Sequence, residues 1–323
     1  MSQLWYLSRR DVERLALTPA ELVGLMEQAF RFKAAGQVEL PPKPGVYPRP
    51  QAFIHAMPAY VRPLDAAGLK WVAAYPGNTR RGLPHVTGLI VLNDAETGVP
   101  VAVMDATWVT AMRTAAVSAL SARFLGPDGE ITLGIYGLGV QARSHLKVMA
   151  ELLPVKRVVA YDEREERVQA FLRDAPGLAA DARVEAARSA EAMVRDSNVI
   201  VTAGPIVKPP RPVVRASWLA EGILLLPVDF DAALDPEVFG RFPRLVVDDI
   251  PQFEYYRSLG YFQSAPAAAL ELADLVEGRH AGRRSAPERH MALNLGLAME
   301  DVVVAQEIYR RARAQGIGTP LPL

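Results

Sequence analysis

The sequence predicts an α/β protein in which a doubly wound parallel sheet of the Rossmann type is joined to an N-terminal α+β lobe completed by the C-terminal helix. Three observations carry this expectation. From "ITLGIY" onward, strand-like and helix-like segments alternate, the pattern that lays helices on both faces of a parallel sheet. The first third instead holds a helix followed by strand-like pieces separated by turns. Finally, "TLGIYGLGVQARSH", residues 132–145, is an apolar run that breaks at glycine and resumes as a helix. The expected division is residues 1–112 with 300–323 in the lobe and 113–299 in the parallel-sheet domain.

In chain order, "TPAELVGLMEQAFRFKAAG" places Thr18 at an N-cap, Pro19 at the first helical position, Glu21 in a capping box and Gly36 at the stop. Leu22, Leu25, Met26, Ala29 and Phe30 fall on one face, so the helix is amphipathic. The proline-rich "LPPKPGVYPRPQ" is expected to be an ordered loop. "AFIHAM", "LKWVAAY", "VTGLIVL" and "VPVAVM" are expected strands, the last two joined around "NDAETG". After the helical "MDATWVTAMRTAAVSALSARFLG" come strand "ITLGIY", helix "VQARSHLKVMAEL", strand "RVVAYD" and helix "EERVQAFLRD". "NVIVTA", "GILLLPV" and "RLVVDD" are further strands, and residues 287–316 are expected to form one long helical stretch returning to the first lobe.

Composition narrows the function. Lys plus Arg and Asp plus Glu each number 36, so no basic excess marks a nucleic-acid or anionic-lipid surface. The absence of cysteine excludes disulfides and thiolate chemistry and suits a reducing compartment. Early charges in "MSQLWYLSRRDVERL" do not fit a signal peptide, and no apolar run approaches a membrane span. A cytoplasmic protein is the expectation.

Gly137, Gly139 and Ala142 make G-x-G-x-x-A: a tight turn, a bare backbone for a pyrophosphate, and a small residue for helix–strand packing. The helix starting near Val140 and Gln141 turns free N–H groups and its positive dipole end toward phosphates. Asp162, ending "RVVAYD", would accept the ribose hydroxyls and repel a 2′-phosphate, which favours NAD; nearby Arg164 keeps NADP open as the less favoured cofactor. Thr202, ending "NVIVTA", and Asp229 are further cofactor-site candidates. Asp229 follows "GILLLPV", at the end of a strand where open α/β sheets place ligands, and its carboxyl could exchange protons with an amine or water.

In the first lobe, Lys70 interrupts an apolar strand and must be paired or face a cavity. Arg113 lies among small helical residues and could grip a carboxylate with its fork, or serve a structural salt bridge. Lys43 lies in the proline-rich loop. His55 stands first as a polar tip on a half-buried strand, and His85 and His290 carry no metal-ligand spacing. No metal is expected.

Over nearly its whole length the chain resembles the ornithine cyclodeaminase/mu-crystallin family, through "MPAY", "GLKWV", "YPGNT", "GLIVLNDAETGVPVAVMD", "TAMRTAA", "GLGVQA", "VAYD" and "LGLAMEDVVVAQ" in this order. The resemblance implies a homodimer built on the N-terminal lobe and a Rossmann domain holding NAD(P). It implies an amino or imino acid whose carboxylate is held by Lys70 and Arg113, with Asp229 transferring the proton. Asp229 and Lys70 are thus the catalytic candidates, and Lys43, Lys70, Arg113 and His55 the substrate-binding ones. Lys43 replaces the family's usual arginine. His55 and Leu293 replace two carboxylates of cyclodeaminases, removing the cradle for a δ-ammonium, and "FDAALD" replaces a glycine-rich turn after Asp229. The expected activity is NAD-dependent hydride transfer at the α-carbon of a small amino acid or its imine. The alternatives are an ornithine cyclodeaminase with recycled NAD, and a non-catalytic crystallin-like binder.

Overall fold

The computed structural model describes residues 3–323. The described chain forms two compact units: residues up to Arg113 together with Gly296–Leu323, and Thr114–Leu295.

The first unit opens with β1 (Gln3–Leu7), α1 (Arg9–Arg14) and α2 (Pro19–Ala34). The capping box expected for α2 is present: the Glu21 N–H donates to the Thr18 hydroxyl over 3.2 Å and the Thr18 N–H to the Glu21 carboxylate over 2.8 Å. There follow β2 (Val38–Glu39), β3 (Gly45–Arg49), β4 (Ala52–Val61), β5 (Ala66–Ala74), β6 (Val86–Asp94), β7 (Pro100–Asp105) and α3 (Thr107–Leu125). The boundary between the units falls inside α3. The proline-rich stretch expected to be a loop contains β3, an edge strand that pairs with β4 and shifts register between Val46 and Arg49. Pro48 is tolerated there because an edge strand has one side free of ladder bonds.

The second unit takes the later part of α3 and then runs through β8 (Ile131–Tyr136), α4 (Val140–Leu152), β9 (Val155–Tyr161), α5 (Glu165–Asp174), β10 (Arg183–Ala186), α6 (Ala190–Arg195) and β11 (Val199–Thr202). It continues through β12 (Leu224–Pro227), β13 (Leu245–Val247), α7 (Ile250–Ser258), β14 (Leu270–Glu271), α8 (Leu272–Val276) and β15 (His290–Leu293). The strand order is β10-β9-β8-β11-β12-β15-β13-β14, with every pair parallel, the doubly wound arrangement expected. The central strands β11, β12 and β13 are fully buried and almost wholly apolar, as strands inside a parallel sheet are.

The chain then returns to the first unit with α9 (Ala298–Gln315) and β16 (Thr319–Pro322). The long helix expected over 287–316 is therefore corrected: its first part is the strand β15, inserted between β12 and β13. "HMAL" is a short, fully buried run, three of its residues apolar, and periodicity alone cannot tell such a strand from a buried helical turn. In the first unit the sheet order is β16-β1-β7-β6-β5-β4-β2, and α9 packs across β4, β5 and β6. No helix among the described residues is long and apolar enough to cross a membrane.

Candidate active site

In the second unit the glycine turn sits between β8 and α4. Gly137 has φ 84°, and a Cβ on it would lie 2.6 Å from the Ala203 carbonyl, so only glycine fits. A Cβ on Gly139 would meet nothing within 4 Å, so this backbone is open to an approaching group. Gly139 caps α4 without a side-chain acceptor, leaving the first-turn N–H groups for a ligand, while Ala142 is fully buried where the helix packs. Val140 is exposed, and Gln141 uses its carbonyl on His145 Nδ1 at 2.7 Å. These residues fit a dinucleotide's phosphates.

Asp162 follows β9 as expected and already holds the turn. One oxygen accepts the Leu138 N–H over 2.9 Å and the other the Arg164 N–H over 3.0 Å. The Arg164 and Arg167 guanidinium groups stand 3.9 and 3.7 Å from it. A carboxylate has about four acceptor positions, so capacity remains for a ribose.

Asp229 lies two residues beyond β12 and is 1% exposed. Its Oδ1 accepts the Thr202 hydroxyl over 2.5 Å and its Oδ2 the Gly204 N–H over 2.9 Å. Burial pushes its pKa up to about 6, although both hydrogen bonds pull the other way. Thr202, expected to touch the cofactor, thus spends its hydroxyl on Asp229. Among the described residues no cluster of potential metal ligands occurs.

The first unit gathers Lys43, His55, Lys70 and Arg113. Lys70 lies in β5 on the face toward α9 and pairs with Asp301 at 2.7 Å. Arg113 reaches Asp301 through Nε at 3.1 Å and Glu300 through Nη1 at 2.7 Å. Asp301 therefore bridges the two cations, and all four side chains are buried. Burial and the neighbouring Arg113 press the Lys70 pKa down to about 7 against the pull of Asp301. Burial pushes the Glu300 carboxyl up. Gly296 forms the floor: Lys43 donates to its carbonyl over 3.1 Å, and a Cβ on it would lie 2.6 Å from Arg113 Nη1. His55 stacks on Phe53 with ring centroids 4.1 Å apart. Burial, helped by the charges of Lys43 and Lys70, holds the His55 pKa down at about 3, so the ring is neutral at pH 7.

Leu293 is wholly buried at the end of β15, in the apolar core with Leu245 and Val247. Glu300 and Asp301, which set the state of Lys70 and Arg113, were not singled out by sequence reasoning. The available signal was an acidic pair inside the apolar run "LAMEDVVVA".

Comparison with known proteins agrees with this architecture. The chain is 34% identical over 316 residues to the nodulation efficiency protein NfeD of Rhizobium meliloti, covering 97% of each chain. Among solved structures, Thermococcus litoralis Delta(1)-pyrroline-2-carboxylate reductase in complex with NADH and L-proline superposes with TM-score 0.89 at 30% identity, covering 98% of this chain and 100% of that one. An archaeal alanine dehydrogenase dimer with bound NAD superposes with TM-score 0.87 at 30% identity, covering 99% of each chain. Residues 4–316 match the ornithine cyclodeaminase/mu-crystallin family model, and the chain belongs to that family.

Proposed function

We propose that the protein is an NAD-dependent oxidoreductase acting at the α-carbon of a small amino acid or its imine. One observation carries this reading: the phosphate-binding turn and the proton-transfer carboxyl share a segment. Gly137 packs against Ala203 and Gly204, and the Gly204 N–H donates to Asp229. Bound there, the cofactor would supply a hydride acceptor for the α-carbon in its oxidised form and a hydride donor for the imine carbon in its reduced form. Asp229 takes the proton that the ammonium nitrogen must release before the C=N bond forms, and returns it in reduction. A carboxyl with a pKa of about 6 does both near neutral pH. Gly137, Gly139 and the start of α4 hold the phosphates, and Asp162 accepts the ribose hydroxyls, which selects NAD over NADP.

In the first unit, Lys43, Lys70 and Arg113 receive the substrate carboxylate. The neutral His55 offers no counter-charge to a side-chain ammonium, so amino acids with short or apolar side chains are favoured over ornithine. A second copy of the chain covers the face of the first unit's sheet that points away from α9. Ile54, Leu69, Trp71, Leu89, Val91 and Val103 alternate with the buried side there, and Trp71 stands opposite Leu89. The likeness to a dimeric alanine dehydrogenase supports this.

The test is NADH consumption with ammonium and a panel of 2-oxo acids and cyclic imines, run beside NADPH and, in reverse, with ornithine and apolar amino acids. Turnover with small or cyclic imines and preference for NADH are expected. Silence in both directions overturns the reading, and efficient conversion of ornithine to proline with ammonia release and no net NADH overturns the substrate assignment.

A further inference from the structure

Thr202 ends β11 and has no exposed surface. Its hydroxyl and the Gly204 N–H, two residues on, occupy different oxygens of the Asp229 carboxyl. The carboxyl cannot turn without giving up one of them. The following residue fixes the loop from the other side. Phe230 has φ 63°, a left-handed conformation costly for an aromatic residue. Its ring meets Tyr256 and Tyr261 edge-on, with centroids 4.9 and 5.3 Å away, and lies 5.4 Å from that of Phe262. Main chain and ring cluster set where Asp229 sits, which leaves the orientation and charge state of its carboxyl to its two donors.

We propose that Thr202 is the positioning residue of the proton-transfer site: its hydroxyl aligns the Asp229 carboxyl and stabilises the ionised form, and does not serve the nucleotide. This rests on the reading of Asp229 given above. A buried O–H donated to a carboxylate is charge-assisted, and no water competes for it. Burial raises the pKa of Asp229 and the Thr202 bond is the largest influence lowering it. The other titratable groups facing this carboxyl do not replace that bond. Asp231, on the same loop, raises the pKa further and is itself opposite Lys208. The Tyr136 phenol on β8 is pushed upward by burial and stays protonated.

The experiment is the pH profile of kcat/KM for amino-acid oxidation in Thr202→Val and Thr202→Ser, with NADH affinity measured by fluorescence titration. Oxidation needs ionised Asp229, so the rate falls on the acid side through its pKa. Loss of one bond to a charged group should move that limb up by about one to two pH units. Thr202→Ser should restore it, and NADH affinity should stay within about threefold, a difference of under 1 kcal/mol. An unmoved limb overturns the proposal, and an unmoved limb with NADH affinity lost assigns Thr202 to the cofactor instead. If Thr202→Val does not fold, Thr202→Cys keeps a weak donor at the same position and must show an intermediate limb. Asp229→Asn separates the two readings. If it retains near-parental turnover, the proton-transfer reading falls and this one with it; if it is inactive while Thr202→Val is parental, only the present inference falls.

Discussion

A lysine inside an apolar strand and an arginine among small helical residues signal buried charge, but not what neutralises it. The sequence made Lys70 and Arg113 legible and left Asp301 hidden, because acids in a helix's first turn are ordinary companions of the dipole. Only the return of α9 over β5 turns Asp301 into the bridge between two cations. The same packing explains why Gly296 matters. Its φ of 83° disfavours any side chain by about 1–2 kcal/mol, and the Arg113 guanidinium above it is pinned by two carboxylates and cannot retreat. Gly296→Ala should therefore lower Tm and reduce kcat/KM for the substrate about tenfold or more, equivalent to at least about 1.4 kcal/mol, with NADH affinity retained. Steady-state kinetics beside calorimetric NADH titration checks this, and parental kcat/KM would show that Arg113 tolerates displacement.

Elements with their own punctuation were the easiest to read. α2 carries a capping box and proline at its start, and the strands of the first lobe alternate with turn residues. Those whose identity depends on neighbours were not: β15 is a histidine and three apolar residues that only flanking strands make a strand, and β3 exists because β4 offers an edge. The mixed sheet of the first unit makes a prediction of its own. Its strands bury one side under α9 while Trp71 and Leu89, each 45% exposed, meet on the other. Placing a charge there with Trp71→Asp should split the proposed dimer without unfolding the monomer, since the residue makes no use of α9. Sedimentation velocity should report halved mass with unchanged circular dichroism. A variant that stays dimeric would place the interface elsewhere.

At the scale of the whole molecule, buried titratable groups govern acid stability. His55 and His145 are held at about 3 and about 4 by burial, below the ordinary 6.5, so the unfolded chain binds protons that the native one refuses. Their contribution is present above pH 6.5 and is lost as pH falls below it. Asp229 acts oppositely: raised to about 6, it binds a proton natively that the unfolded chain releases, and so gains stability as pH falls below 6. Two histidines against one aspartate leave a net loss of about 1.4 kcal/mol per pH unit between pH 6 and 5 from these groups. Urea unfolding at pH 7, 6 and 5 should show the midpoint falling, and His145→Gln should flatten the trend. A midpoint that rises toward pH 5 would refute this balance.

The chain's route has a consequence for its synthesis. The second unit is one continuous run, but the first is stitched from both ends: Gln3 pairs with Pro322, and Arg113 finds Asp301 188 positions later. On the ribosome, β4 to β7 emerge long before the helix that covers them, and Lys70 and Arg113 wait for their counter-charge until α9 follows. Since domains fold as units in the order they become complete, the later-starting unit should finish first. A released chain truncated after Leu295 should already yield a protease-resistant fragment spanning 114–295, while everything before it is still digested. Protection of the N-terminal third in that truncated chain would mean that its strands assemble without α9. Termination ahead of α9 should leave the parallel-sheet unit attached to a sheet whose apolar face has lost its cover.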